Sequence, residues 1–155
     1  YKMGSYMKQF VALDTVIGIV GHVEGSSTAL GREAGFRAGL GEAQDQVAEI
    51  VFCDSITEKA SELTRGLLEK YPEMDMIVGL NEYSAVGAAR AVLELGLSDQ
   101  IYMAGIDSPL EPIQLLHAGG YEALPIPKPF NSGYPCVESA VRAARGVRAT
   151  ENIVS

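Results

Sequence analysis

The sequence predicts an α/β fold in which a doubly wound parallel sheet carries helices on both faces. Four short apolar segments alternate with longer segments of helical period, and each apolar segment ends close to a polar residue. Strands separated by about a dozen helical residues form right-handed crossovers and pair in parallel. The carboxyl ends of parallel strands meet at one edge, where open α/β sheets bind ligands. The segments are Val16–Val20, Val47–Phe52, Met76–Leu80 and Ile101–Ile106, and the polar residues are His22, Asp54, Asn81 and Asp107.

Composition limits the function classes. The chain has 155 residues, of which 47% are hydrophobic, which is enough for one domain with its own core. A net charge of −8 argues against a nucleic-acid surface, which needs clustered cations, and against an anionic membrane. The first ten residues lack the layout of a signal peptide, but the chain does not begin with Met, so targeting is not readable. Cys53 and Cys136 lack CxxC spacing and are predicted to be small apolar residues of the core.

The first half of the chain predicts two helices around the first strand. Residues Lys2–Leu13 form the first, with apolar residues on one face. Ser27 is the predicted N-cap of the second, over Thr28–Gly41. This helix has a glycine at every fourth position, which predicts a close approach of the helix to the sheet. The glycines are Gly31, Gly35 and Gly39.

The middle of the chain has clear helix boundaries. Ser55–Glu58 (SITE) predicts a capping box, and its helix extends to about Tyr71, before Pro72. The next helix is predicted over Glu82–Leu95, with Gly96 at its carboxyl end.

The last third predicts one more strand and two helices. Ser108 and a following proline open a helix that ends near His117, and Tyr121–Ile126 forms a fifth strand. Prolines at 125, 127 and 129 make the next stretch an extended connector. The last helix is predicted over Asn131–Gly146.

Five stretches, in the same order and spacing, resemble the second lobe of type I periplasmic solute-binding proteins, the ribose- and galactose-binding family related to LacI-type regulator sensor domains. The strongest is a strand that ends in Asn-Glu before a helix of small residues. The stretches are Gly25–Phe36 (GSSTALGREAGF), Leu68–Ile77 (LEKYPEMDMI), Gly79–Ala89 (GLNEYSAVGAA), Ala104–Ser108 (AGIDS) and Lys128–Tyr134 (KPFNSGY).

The resemblance implies a flavodoxin-like or Rossmann-like lobe over residues 1–127. Residues 128–155 are then the return segment and a helix that belongs to the other lobe. In this family the ligand binds in the cleft between two lobes. The chain is therefore expected to form one wall of a cleft, and as an isolated chain to bind sugars weakly or not at all.

The resemblance also implies which residues contact the ligand. Asn81 offers an amide, and Asp107 a carboxylate that accepts hydrogen bonds from two adjacent hydroxyls of a sugar or polyol. Glu24 and Ser26 lie in a loop that touches ligand in some members. The chain departs from the family at two ligand-site positions. These are Leu30, where an Arg is common, and Pro127, where Gln or Asn is common.

These observations favour a binding protein over an enzyme. The chain has no Gly-x-Ser-x-Gly elbow, no HExxH, no Cys/His metal cluster and no nucleotide loop, so we expect no catalytic group, metal or cofactor. A flavodoxin-like response or enzyme domain is disfavoured because the strand ends carry no acidic cluster with a lysine partner.

The favoured function is capture of a sugar or other small polar solute for an ABC importer, with the permease as partner of the full-length protein. Its location is then periplasmic or extracellular, with or without a lipid anchor. The alternative is the effector-binding domain of a LacI-family transcriptional regulator, which is cytoplasmic. The residues Leu97–Gln100 and the single acidic residue Asp107 fit the transporter branch better than the regulator branch.

The last predicted helix carries an apolar stripe that predicts self-association. Tyr134, Val137, Val141 and Ala144 recur at helical spacing on one face. If no second lobe covers this stripe, it is exposed or buried against another chain.

Overall fold

The computed structural model describes residues 1–106 and 129–146, with the side chains of 1–106 and 137–146. The chain divides into two units, Tyr1–Pro125 and Ile126–Ser155. Asp107, Pro127, the helix predicted after Ser108 and the predicted fifth strand lie outside the described residues. Among the helices that are described, none is long and apolar enough to cross a membrane.

The elements follow the predicted order. The first unit contains helix α1 (Lys2–Met7), a 3-10 helix (Lys8–Phe10), strand β1 (Val16–Gly21), helix α2 (Ser27–Leu40), a 3-10 helix (Gly41–Gln46), strand β2 (Val47–Phe52), helix α3 (Thr57–Lys70), strand β3 (Met74–Gly79), helix α4 (Glu82–Glu94) and strand β4 (Tyr102–Gly105). The second unit contains helix α5 (Pro129–Ala144).

The four strands form one parallel sheet in the order β2-β1-β3-β4. This confirms the doubly wound parallel sheet, because the order reverses on either side of β1. Near the carboxyl end Gly21 pairs with Phe52, and Val20 pairs with Gly79. Gly79 in turn pairs with Gly105 of β4. The four strands therefore end side by side at one edge.

Two apolar cores cover the two faces of the sheet, as predicted. One face packs against α3 and α4, whose small side chains let both helices come close to the sheet, and the other packs against α1 and α2. The buried residues of the first core are Val20, Cys53, Ala60, Leu67, Met74, Ile77, Ala85, Ala88, Ala89, Val92, Ile101 and Met103. Those of the second are Met3, Met7, Ile17, Ile19, Phe36, Leu40, Met76, Val78, Leu80 and Ala104.

Two predicted helix starts are wrong. Helix α2 is capped by Ser26 and not by Ser27, because the Ser26 hydroxyl accepts a hydrogen bond from the Ala29 amide at 3.3 Å. The capping box at Ser55 does not form. The backbone is left-handed at Ser55, with φ +58°, so α3 begins only after Ile56 and has no side-chain cap.

Other boundaries shift less. Helix α1 ends at Met7 and continues as a 3-10 turn to Phe10, short of the predicted Leu13. Helix α4 ends before Leu95, and Gly96 follows with φ +70°, as its position predicted. Helix α5 begins at Pro129, two residues earlier than predicted.

The glycine row of α2 faces α1 and not the sheet, contrary to the prediction. A Cβ at Gly39 would lie 2.3 Å from the carbonyl oxygen of Tyr1, and one at Gly4 would lie 2.2 Å from that of Phe36. Gly31 has open space. The large side chains of Phe36 and Leu40 contact the sheet instead, which leaves the glycine side of α2 for the short helix α1.

Candidate functional site

Backbone hydrogen bonds continue past the carboxyl ends of the strands and bring the following residues into one row. Each of these bonds extends the pairing of two neighbouring strands beyond their last paired residues. The row therefore lies at the carboxyl edge of the sheet. The winding of the sheet reverses at this edge, which is where such sheets bind ligands. The bonds are Cys53 N to Gly21 O at 3.0 Å, Leu80 N to Val20 O at 3.0 Å and Ile106 N to Gly79 O at 3.1 Å.

Asn81 directly follows Leu80 in this row and caps α4. Its Oδ1 accepts hydrogen bonds from the Ser84 amide at 2.9 Å and from the Ser84 hydroxyl at 2.8 Å. The backbone N–H of Asn81 donates to Ser84 Oγ at 2.9 Å, which completes a capping box. The residue is 9% exposed. Its ligand contact stays a prediction, but its acceptor oxygen is already used by the helix.

Gly79 makes this placement of Asn81 possible. A Cβ at Gly79 would lie 2.3 Å from the Cα of Ala85 in the first turn of α4. No side chain other than hydrogen fits there, so the glycine allows the helix to start directly over the end of β3.

Ser55 contacts Asn81 from the neighbouring loop. The Asn81 Nδ2 donates to Ser55 Oγ at 3.2 Å. Asp54 and Ser55 both have left-handed backbone, with φ of +54° and +58°. The Asp54 carboxylate pairs with Lys59 Nζ of α3 at 2.7 Å.

Arg32 reaches the same edge, which the sequence analysis missed. Its Nη1 donates to the carbonyl oxygen of Leu80, the residue before Asn81, at 2.7 Å. A cation is therefore present beside Asn81 although Leu30 cannot supply one. The sequence feature that could have indicated this contact is the position of Arg32, within two turns of the start of α2, a helix that begins at this edge.

His22 follows β1 at the edge, at the start of the loop that leads to α2. It lies in that loop but is buried, with 7% of its surface exposed. Its Nε2 lies 3.0 Å from the Thr28 hydroxyl. His22 therefore connects the end of β1 to the first turn of α2.

The remaining predicted contacts have different surroundings. Glu24 is exposed, and Leu30 is 56% exposed on α2. The Ser26 hydroxyl caps α2 and also donates to the Val23 carbonyl at 2.9 Å, so it serves the loop backbone. Their ligand contacts, and those of Asp107 and Pro127, stay predictions.

Cys53 is a free thiol buried next to the turn at Asp54. Burial raises the pKa of this thiol, because the thiolate loses its hydration. It is a core residue, as predicted for it. In residues 1–106 and 137–146 no three His, Cys, Asp or Glu side chains group in a way that would hold a metal ion.

Two surface cavities lie away from the row. One of about 300 Å³ lies between β2 and α3 and is lined by residues that include Val51, Leu63 and Leu67. The other, of about 450 Å³, lies beside the amino ends of β1, β3 and β4 and includes Thr15 and Asp75. Neither is lined by Asn81 or Arg32, and we place the candidate site at the carboxyl edge because open parallel sheets bind ligands there.

Comparison with known proteins finds relatives among sugar-binding and sugar-transport proteins. A sugar transporter from Clostridium phytofermentans is 36% identical, with a TM-score of 0.86, over 99% of this chain and 55% of that chain. The D-ribose/D-allose-binding protein of Pseudomonas aeruginosa is 24% identical over 106 residues, which are 68% of this chain and 33% of that protein. The chain thus spans about half, or less, of the length of these relatives.

A third likeness shows the fold alone, because the identity is low. An ABC transporter solute-binding protein from Agrobacterium vitis, bound with α-D-tagatopyranose, is 23% identical, with a TM-score of 0.85, over 99% of this chain and 52% of that chain.

The family model described as periplasmic binding protein domain matches residues 1–147. This confirms the resemblance to type I solute-binding proteins, which bind ligands and are not enzymes. The chain therefore belongs to the periplasmic binding protein domain family.

Proposed function

We propose that this chain forms one wall of the sugar-binding cleft of a substrate-binding protein that delivers a sugar to an ABC importer. The observation that carries the proposal is the placement of Asn81 and Arg32 together at the carboxyl edge of the sheet. An amide donor and a guanidinium suit the hydroxyl and ring oxygens of a sugar. One of the named relatives is a D-ribose/D-allose-binding protein, and another is bound with α-D-tagatopyranose. These sugars are therefore the first to test.

The partners and location follow from this function. The permease of the importer is the protein partner, and Asp107, Glu24 and Ser26 are further candidate contacts on the same wall. We place the protein in the periplasm or on the outer side of the cytoplasmic membrane, the latter with a lipid anchor.

We expect D-ribose, D-allose or D-tagatose to shift NMR amide resonances around Asn81, Arg32 and Ser55 in the 15N-labelled chain. One wall supplies only some of the contacts of a cleft, so the dissociation constant should be about 1 mM or weaker. L-Rhamnose and sodium chloride at matched concentration serve as ligand controls. Shifts confined to other surfaces, or a dissociation constant in the micromolar range for the isolated chain, would contradict the proposal.

We further propose that α5 uses its apolar face to associate with another folded surface. Val137 and Val141 are 66% and 44% exposed, and they lie one turn apart on the same face. Exposed apolar side chains in a row mark association surfaces.

We expect the double variant Val137→Glu/Val141→Glu, which places two charges on this face, to reduce the self-association of the chain. Light scattering coupled to size-exclusion chromatography, over a range of concentrations, measures the mass. Arg142→Glu, which lies about 100° around the helix from Val141, changes the charge by the same amount without removing an apolar side chain, and it should leave association unchanged. A parent chain that stays monomeric at every concentration would refute association.

A further inference from the structure

The side-chain amide of Asn81 has little freedom in its hydrogen bonding. A backbone N–H can only donate, so the atom that faces the Ser84 amide must be Oδ1 and not Nδ2. The Ser84 hydroxyl lies 2.8 Å from the same oxygen and can donate to it. The same hydroxyl lies 3.0 Å from the Asn81 carbonyl oxygen, so its one proton can go to either oxygen, but in both cases the Ser84 amide and hydroxyl of α4 lie against Oδ1.

Ser55 sits at the other end of the amide. Its hydroxyl oxygen accepts one of the two Nδ2 hydrogens of Asn81 at 3.2 Å. Within the described residues, the second Nδ2 hydrogen has no hydrogen-bond partner. The 9% of Asn81 that remains exposed shows that solvent still reaches this residue.

The Ser55 hydroxyl is brought there by an unfavourable backbone. Two consecutive residues with side chains, Asp54 and Ser55, have left-handed φ values, a region that L residues rarely adopt. The turn is held by the backbone amide of Ile56, which donates to the Cys53 carbonyl at 2.9 Å, whereas the Asp54–Lys59 ion pair is exposed to solvent and adds little. If the turn served only to connect β2 and α3, a glycine at position 55 would adopt this backbone conformation without strain. The serine side chain is therefore not explained by the connection alone.

We propose that Ser55 is a positioning residue that fixes the Asn81 amide, so that Asn81 offers the sugar one N–H donor and no acceptor. The part of the inference that concerns the sugar rests on the function proposed above. It narrows the chemistry of the ligand: the oxygen facing Asn81 must accept a hydrogen bond. The earlier expectation that Asn81 provides both donor and acceptor is replaced by a donor alone.

The test follows the two Nδ2 protons of Asn81 by NMR in the 15N-labelled chain, with the resonance pair assigned by its loss in Asn81→Asp. In the parent we expect one proton of the pair to be shifted downfield and to exchange slowly. In Ser55→Ala and Ser55→Gly this shift should disappear, and the proton should exchange about fivefold faster, as the loss of one hydrogen bond predicts.

The controls separate positioning from stability. Ser55→Gly relieves the left-handed backbone, so the midpoint of urea unfolding should stay the same or rise while the Asn81 signal is lost. Asp54→Asn keeps a residue that tolerates left-handed backbone and keeps the Ser55 hydroxyl, so its Asn81 protons should match the parent. If both Ser55 variants retain the parent shift and exchange rate, the proposal is refuted.

Sugar binding gives a second, separate outcome. With the sugar that shifts the parent spectrum, Ser55→Gly should bind about fivefold more weakly than Asp54→Asn. If the sugar-induced shifts lie away from Asn81, Arg32 and Ser55, the proposed function fails, but the Nδ2 protons still decide whether Ser55 orients Asn81. Equal affinity in both variants would overturn the role of Ser55 in binding.

Discussion

Replacing Gly87 with alanine is expected to lower the free energy of unfolding by about 1–3 kcal/mol. A Cβ at this position would lie 2.3 Å from the carbonyl oxygen of Thr57 and 2.5 Å from the Cβ of Ala60. The first of these is a backbone atom of α3, so the clash is relieved only if α3 and α4 move apart. Such a movement opens the core between the helices and the sheet, which costs more than the helix propensity that alanine gains.

Gly66 supplies the matched control in the partner helix. It lies inside α3, and a Cβ there would meet nothing within 4 Å. Gly66→Ala should therefore raise the free energy of unfolding by about 0.5–1 kcal/mol. Urea unfolding followed by circular dichroism measures both variants. Opposite signs are expected, and equal stabilisation by the two alanines would show that α3 and α4 are not packed as closely as described.

At Asn81, two substitutions are expected to separate stability from binding. Asn81→Ala removes the cap of α4 and should cost about 1 kcal/mol of unfolding free energy. Asn81→Asp keeps an oxygen that accepts from Ser84, and its negative charge suits a helix amino terminus, so stability should stay near that of the parent. The Ser55 hydroxyl can reverse its role and donate to the new carboxylate.

Binding should be lost in both variants. Neither side chain has an N–H to donate, and a carboxylate also repels the lone pairs of a sugar oxygen. We expect the sugar to bind at least about tenfold more weakly to either variant. NMR titration with the sugar that shifts the parent measures affinity, and urea unfolding measures stability. If Asn81→Asp binds as tightly as the parent, Asn81 donates no hydrogen bond to the ligand.

Much of the fold is predictable because burial repeats along this chain with a regular period. β2 is predicted at its observed bounds, and the polar residues His22 and Asn81 were correctly expected at one sheet edge. The Asn81 cap was also predictable, since an Asn directly before a helix of small residues satisfies the free amides of its first turn.

The contacts that were missed depend on residues far apart in sequence. Ser55 had the spacing of a capping box, but the left-handed turn moves the start of α3 to a later residue. The Ser55 hydroxyl instead accepts a hydrogen bond from Asn81, which lies 26 residues later in the sequence. The glycines of α2 had a spacing that indicates close packing, but not that α1 is the element packed there. The position of Arg32 at the edge depends on its contact with Leu80, 48 residues away.

The sequence by itself determined the strand and helix order, the parallel sheet and the edge that carries the candidate site, because hydrophobic period and helix signals act over a few residues. Only the tertiary structure decided which polar atoms at that edge remain available. That availability depends on pairings such as Asn81 with Ser55 and Arg32 with Leu80, which join separate loops and helices. Local patterns carry no information on such pairings, since each forms only when the sheet brings the ends of its strands together.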